Sequence, residues 1–274
     1  GFVPAQAPGV DHYLRPGTLQ LGALPPLALY VHLPWCLKKC PYCDFNSHEN
    51  KGELPERRYL DALRADLEAA LPLIWGRRVI SVFIGRVHDA AQARAAVAEA
   101  AQAFDTFNID LMYALPGQTL SQLQADLDAA LAFKPPHLSI YHLTMEPNTA
   151  FAVEPPAHLP DDDLASDMLD LIIERTAATG LQRYEVSAFA RPGHRCLHNL
   201  NYWQFGDYLG IGAGAHGKLS FPHRVLRQVR WREPAAYMNN ALAGNAVSNQ
   251  HEVSRRDLPF EFMLGAPQLF VLHL

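Results

Sequence analysis

Cysteine is scarce in this 274-residue chain: there are four. Three of them, Cys36, Cys40 and Cys43, crowd into one stretch, LYVHLPWCLKKCPYCDFNSH, from Leu29 to His48. Thiols spread so unevenly do not make a disulfide framework, and a reducing, cytoplasmic compartment is the simpler expectation. Positive charge is not in excess either. A net charge of −5 and a pI near 6.2 argue against a general nucleic-acid binder, which would show a basic stripe. No apolar run approaches the ~20 residues of a membrane span, so no stable membrane span is expected, and there is no internal repeat. The N-terminus, GFVPAQAPGVDHYLRPGTLQLGALPP, lacks the basic-then-apolar order of a secretory signal. Rich in Pro, Gly and Ala, it is expected to be a loose leader over residues 1–27. What the chain does have is apolar content, 49% hydrophobic, enough for one large domain or one domain plus a smaller one.

Periodicity supplies the organisation. LALYVHL (27–33), VISVFIG (79–85), FNIDLMY (107–113), HLSIYHLT (137–144) and QRYEVSAFA (182–190) read as strands. Between them, PERRYLDALRADLEAAL (55–71) places Tyr59, Leu60, Leu63, Leu67 and Leu71 at helical spacing. DAAQARAAVAEAAQA (89–103) is Ala-rich and helix-forming. TLSQLQADLDAALAF (119–133) is a helix that Thr119 or Ser121 could cap. LPDDDLASDMLDLIIERTAATG (159–180) carries acids at its start and Gly at its end, as the dipole and capping rules favour. This alternation predicts crossover units on a parallel sheet, an α/β fold whose ligands bind at the C-terminal ends of the strands. The three cysteines follow directly after the first strand, on a loop at that end.

Thiolates bind zinc, copper(I) and iron–sulfur clusters. A closed structural zinc site takes four ligands, and Cys196 or the neighbouring His198 would have to complete it. A cubane cluster takes one thiolate per iron, so three thiolates leave one iron open for something else. Three ordinary buried thiols are the bland alternative.

CLKKCPYC has the Cys-x3-Cys-x2-Cys spacing of radical S-adenosylmethionine (SAM) proteins, with aromatic Tyr42 before the third cysteine. With YVHLPWCLKKCPYCDFNSH, FNIDLMYALPGQT, HLSIYHLTMEPNT, HNLNYWQFGDYLGIGAGAHG and PFEF, the chain from Leu29 to Phe262 resembles the oxygen-independent coproporphyrinogen III oxidase family, and within it the heme-chaperone (HemW) branch. The resemblance implies a TIM-like (β/α) barrel of the radical SAM type, partial here, over residues 28–190. A smaller C-terminal region, 191–274, would carry an HNxxYW motif. It implies a 4Fe-4S cluster on Cys36, Cys40 and Cys43, with SAM chelating the open iron, and Tyr30, Tyr42, Gly85, Arg86 and Asp110 around the SAM. Asp110 also stands out on its own, because a carboxylate inside an apolar strand is costly unless paired. The resemblance further implies heme binding by His198, Asn199, Tyr202 and Trp203. From the residues alone, His198 could ligate heme iron with Tyr202 and Trp203 against the porphyrin, or the motif is an ordinary buried His–aromatic cluster. His194 and His216 are neighbouring candidates.

The oxidases carry a further cysteine two residues after the third cluster cysteine, where this chain has Phe45. That points to the chaperone branch. The expected function is therefore to hold heme and pass it to an acceptor protein, with an unidentified electron donor and a homodimer left open. A porphyrinogen-acting radical SAM enzyme and a zinc-stabilised binding module are the alternatives. GDYLGIGAGAHG (206–217) has glycines like a dinucleotide fingerprint but no strand–helix unit with a distal acid, and reads as backbone crowding or loop geometry. One departure is clear. After SVFIG the family continues with a glycine-rich turn and two more strand–helix units bearing a Glu and a Gln near SAM, whereas here FIG runs into RVHDAAQARA. An internal segment is expected to be missing near Gly85–Arg86, which would leave two sheet edges uncovered.

Overall fold

The computed structural model describes residues 10–17, 19–36, 39–43, 45–49, 52–85, 90–147 and 149–265. In chain order it begins with α1 (Val10–Leu14), β1 (Leu27–His32), β2 (Trp35–Cys36), β3 (His48–Glu49), α2 (Glu56–Ile74) and β4 (Val79–Gly85). There follow α3 (Ala90–Ala103), β5 (Asn108–Tyr113), α4 (Leu120–Leu131), β6 (His137–His142), α5 (Ala150–Val153), α6 (Asp162–Ala178), β7 (Gln182–Glu185) and β8 (Ala188–Ala190). The chain continues through α7 (Leu197–Trp203), β9 (Asp207–Ile211), β10 (His216–Phe221), β11 (Arg224–Arg230), α8 (Pro234–Leu242), β12 (Val247–Glu252) and α9 (Leu258–Gly265). Among the described residues no helix is long and apolar enough to cross a membrane.

Two compact units emerge, one from residues 10–35, 52–85 and 197–265, the other from 36–49 and 90–196. The first is built on a six-stranded sheet of order β12-β11-β10-β9-β1-β4. β1 lies parallel between β4 and β9, and β9 to β12 continue as an antiparallel meander. Residues beyond 191 therefore do not form a region of their own as expected, because β9 extends the sheet that β1 begins. Its core gathers Leu27, Leu209, Ile211, Leu219, Leu226, Tyr237 and Met238. The leader expected to be loose is pinned from residue 10 onward. Tyr13 is buried and stacks on Phe221 at 5.1 Å, and its hydroxyl receives Gln250 Nε2 at 2.6 Å. Leu19 and Leu21 donate their amides to His223 and Pro222 carbonyls. Composition could not show this, since the anchoring comes from one buried tyrosine and backbone bonds to distant residues.

Helix α2 turns inward the face of Tyr59, Leu63 and Leu67 as expected, but not Leu60 and Leu71. Tyr59, Ala62, Leu63, Asp66, Ala70 and Ile74 are buried, while Leu60 and Leu71 are exposed. The reason is Asp66. Its carboxylate receives Nε and Nη2 of Arg230 at 3.1–3.3 Å, the Tyr237 hydroxyl at 2.9 Å and the Gly212 amide at 3.3 Å. Beside it the Tyr59 hydroxyl donates to the His32 carbonyl at 2.7 Å and accepts the Ala213 amide at 2.9 Å. Gly212, at φ +106°, sits so close to β1 that a Cβ there would meet the His32 carbonyl oxygen at 2.3 Å. A Cβ at Gly210 would meet the His216 carbonyl at 2.0 Å. Backbone crowding is thus the reason for these glycines.

The second unit carries a sheet of order β5-β6-β8-β7, parallel between β5 and β6 and antiparallel elsewhere. QRYEVSAFA, expected as one strand, is two. The chain reverses after Glu185, whose carboxylate accepts the Ser187 amide at 3.0 Å. Thr119, not Ser121, caps α4, in a reciprocal capping box with Gln122, and Asp161 caps α6. Leu123, Leu127, Met168 and Ile172 from these helices meet Leu138, Ile140, Leu181 and Phe189. The opposite face of β5 and β6 is polar. Asn108 Nδ2 donates to Asp110 Oδ1 at 2.6 Å, so Asn108 Oδ1 is the acceptor for His137 Nδ1 (2.6 Å) and the Ser139 hydroxyl (3.1 Å). His137 Nε2 then accepts from the Tyr184 hydroxyl at 2.6 Å. The ring is neutral, and burial pushes its pKa down to about 4.

Two outcomes follow from these buried groups. Asp66→Ala leaves the buried Arg230 guanidinium without its counter-ion and should cost about 3–5 kcal/mol of stability, read by urea denaturation. For His137, the folded pKa of about 4 lies below its ordinary 6.5, so the unfolded chain binds the extra proton first. Stability from this group is full above about pH 6.5 and falls toward pH 4, by on the order of 3 kcal/mol across that window. In His137→Gln that slope should flatten. Parallel denaturation curves for wild type and variant between pH 7.5 and 4.5 would contradict the assignment.

Candidate functional site

The cysteine loop leaves β1 through Trp35, whose indole meets the Tyr59 ring edge-on at 4.7 Å. β2 and β3 pair to close its base. Cys36 is buried, and its thiol points to the His48 carbonyl at 3.6 Å. Cys40 to Cys43 form a tight turn, with the Cys43 amide on the Cys40 carbonyl at 3.0 Å and Pro41 in the second position, where its fixed φ suits a turn. The Phe151 amide donates to the Pro41 carbonyl at 3.1 Å, tying the turn to α5. Cys43 Sγ lies 3.5 Å from Ser47 Oγ. Burial pushes the Cys36 thiol up; a bond from Ser47 counters this, and the charges of Cys43 and Cys40 add to it. Tyr42 is pushed up to about 12, by burial first and then by Cys40 and Cys43.

Cys36 thus feels the charges of Cys43 and Cys40, which a bound cationic centre would relieve. Among the described residues no group of three or more His, Cys, Asp or Glu converges as the ligands of a single metal ion must. The Cys196 amide donates to the Tyr184 hydroxyl at 3.1 Å, and its charge acts on Tyr184 and Tyr141. All four cysteines are free thiols. Phe45 is exposed.

Of the residues expected around SAM, Tyr42 and Asp110 belong to the second unit with the cysteines, while Tyr30 and Gly85 belong to the first. Arg86 lies outside the described residues. Asp110 meets the condition its position demands, for Asn108 Nδ2 hydrogen-bonds its carboxylate, although burial still raises its pKa. Tyr30 donates or accepts at His32 Nδ1, 2.7 Å away, on the face of β1 opposite Leu29 and Val31. Gly85 ends β4, in register with His32.

The HNLNYW residues form α7. Asn201 and Trp203 are buried; Asn201 Nδ2 donates to the Asp207 carbonyl at 2.8 Å and closes the helix onto β9. His198 stacks on Phe83 at 4.9 Å and 17°, and meets Tyr202 edge-on at 4.9 Å. Tyr202 stacks in turn on Tyr208 at 4.5 Å, and Tyr208 is hydrogen-bonded by Arg227. Burial holds His198 neutral, and its Nδ1 is a buried nitrogen with no hydrogen-bond partner among the described residues. Asn199 is half-buried on the same helix. The competing histidines differ: His194 Nδ1 pairs with the Thr106 hydroxyl at 2.7 Å in the second unit, and His216 is exposed, its pKa lowered by burial first and then by Arg227 and Arg232. Sequence reasoning missed Phe83 and Tyr208. Only the register of β4 against β1, which the strand pattern does not encode, brings Phe83 beside Tyr30.

No family model matches the chain. The heme chaperone HemW of Escherichia coli is 38% identical over 88% of this chain and 82% of that protein, and that of Haemophilus influenzae is 37% identical over the same shares. A third, from Buchnera aphidicola of Acyrthosiphon pisum, is 31% identical over 90% and 84%. The Escherichia coli alignment runs to 316 positions, whereas 88% of 274 residues is about 241, so about 75 positions have no counterpart here. Among solved structures, coproporphyrinogen III oxidase (HemN) from Escherichia coli, described as a radical SAM enzyme, shares the fold with a TM-score of 0.67 at 20% identity, over 89% of this chain and 76% of that one. The fold is thus the α/β, TIM-like architecture of the radical SAM type, in partial form, and the chain belongs to the HemW family of heme chaperones.

Proposed function

We propose that this protein takes up heme and delivers it to an acceptor protein, and that it carries a 4Fe-4S cluster on Cys36, Cys40 and Cys43 with SAM at the open iron. The observation that carries the heme half is His198: a neutral imidazole with an orphaned nitrogen, set in an aromatic wall of Phe83, Tyr202 and Tyr208. A neutral imidazole is the form that binds iron. Tyr202 supplies apolar surface, and Trp203 and Asn201 fix the helix. The cluster half rests on the thiol turn and its mutual charge. When bound, the cluster and SAM together supply one-electron chemistry; the loop's own part is to present three thiolates and hold Tyr42 beside them. Four free thiols accord with a cytoplasmic setting. A homodimer and an electron donor belong to the same reading.

The segment expected to be missing near Gly85–Arg86 is part of this proposal. β4 ends the first sheet and β5 ends the second. Two strand–helix crossover units of about 30 residues or more each match the roughly 75 unmatched positions. Their absence would remove a glycine-rich turn and two polar side chains that the family places near SAM.

Two measurements test the function. Anaerobically purified protein should be brown, with iron and acid-labile sulfide. Serine at Cys36, Cys40 or Cys43 singly should abolish the colour, whereas Cys196→Ser should keep it. Loss of metal in Cys196→Ser would instead support a four-ligand zinc site. For heme, spectral titration of wild type should give a saturable Soret band, and His198→Ala should shift it and weaken affinity at least about tenfold, the equivalent of one axial bond's partial loss. Identical maxima and dissociation constants would leave His198 a packing residue.

A further inference from the structure

A metal-bound histidine ordinarily donates its second ring nitrogen to a carbonyl, carboxylate or water, which fixes the ring plane and makes the imidazole a stronger donor. His198 lacks that device, since its Nδ1 is buried without a partner among the described residues. Something else must hold the ring. Phe83 lies nearly parallel to it, 17° between planes at 4.9 Å. Phe83 is itself backed by Tyr30, its register partner on the parallel β1–β4 pair, with rings 5.5 Å apart at 23°. Tyr30 is in turn held through its hydroxyl by His32 Nδ1 at 2.7 Å. The three rings therefore form a continuous stack, Tyr30–Phe83–His198, anchored in the sheet at one end. Tyr202 meets the imidazole edge-on and blocks rotation from the side. Phe83 nonetheless keeps 38% of its surface exposed, unusual for an aromatic ring whose only task is core packing.

Resting on the heme reading above, we propose that Phe83 is the positioning residue of the His198 imidazole: stacked on that ring and backed by Tyr30, it sets the imidazole plane in place of the missing hydrogen bond. The consequence is a ligand oriented by packing but not strengthened by a hydrogen bond. Such an imidazole donates less electron density to iron, and its bond to iron exchanges more readily. A protein that must give heme away needs that combination, orientation without a strong bond.

The test uses the full chain with heme. Phe83→Leu keeps apolar bulk and removes the stack; Phe83→Tyr keeps the stack. Phe83→Leu should weaken heme binding about three- to ten-fold, the usual worth of an aromatic pair. It should also broaden the high-spin ferric EPR signal expected of a single imidazole ligand, whose rhombic splitting reports the spread of imidazole planes. Phe83→Tyr should restore both. In the wild type, the iron–histidine stretch of ferrous heme should fall in the low-frequency range of imidazole without an Nδ1 acceptor. Val82→Ala, one residue away on the opposite face of β4, should change neither affinity nor line shape. If His198→Ala alters the Soret band while Phe83→Leu matches wild type in affinity and EPR, the positioning role is overturned and the heme reading stands. If His198→Ala changes nothing, both fall.

Discussion

The carboxylate of Asp66, 2% exposed, and the guanidinium of Arg230, 1% exposed, meet inside the first unit. A buried ion pair is not in itself a large source of stability, because both charges give up water to form it. Its value here is geometric. Asp66 also holds the Tyr237 hydroxyl and the Gly212 amide, and the chain at Gly212 presses against the last carbonyl of β1. Only glycine fits there, at a positive φ and where an added Cβ would come within 2.3 Å of the His32 carbonyl oxygen. The Tyr59 hydroxyl takes the same His32 carbonyl from the other side. The end of β1 is therefore clamped by α2, α8 and β11 at once. Trp35, three residues on, packs against Tyr59, so the clamp reaches the residue just before the first cysteine.

The loop that follows uses different means. Its turn is set by Pro41 and one backbone bond, and its thiols are held near enough to repel one another as thiolates. That repulsion is tolerable in a chain that binds a cationic centre and costly in one that does not. Tyr42, whose hydroxyl is kept protonated by burial and by the neighbouring thiols, adds no further negative charge. The contrast with the polar face of β5 and β6 is instructive. There Asn108 accepts a hydrogen bond from His137 and donates one to Asp110, so a carboxylate and an imidazole share one face of the sheet, each with a partner.

Much of this was legible in the sequence. Strand and helix positions follow from periodicity, and the cysteine spacing and HNLNYW identify the residues of interest. What was not legible shares one cause: it depends on contacts far apart in the chain. Leu60 and Leu71 fit the helical period as well as Ala62 and Ala70 do, and only Arg230, 164 residues after Asp66, decides which face turns inward. The antiparallel β10 to β12 are individually plain strands, but their joining to β9, and β9 to β1, makes the C-terminal part continuous with the first sheet. The break in QRYEVSAFA rests on one side chain, Glu185, folding back on the backbone. Tyr13 gave no sign that it would anchor the N-terminal segment.

The two proposed ligand sites also differ in how firmly their donors are built, and the difference follows from chemistry. A cluster that stays with the protein is served by charged thiolates on a loop rooted at a clamped strand end. A cargo that must leave is served by a neutral donor with no hydrogen bond behind it. Burial alone would make His198 neutral; it would not orient it. Hydrogen bonding would orient it but strengthen its bond to iron. Stacking on Phe83 separates the two effects, because an aromatic face restrains the ring plane while leaving the basicity of the nitrogen nearly untouched. The unpaired Nδ1 then costs some folding stability, a cost the well-packed core of Leu209, Leu219 and Leu226 beneath can absorb. A site made in this way is weak by construction at the one bond that has to break.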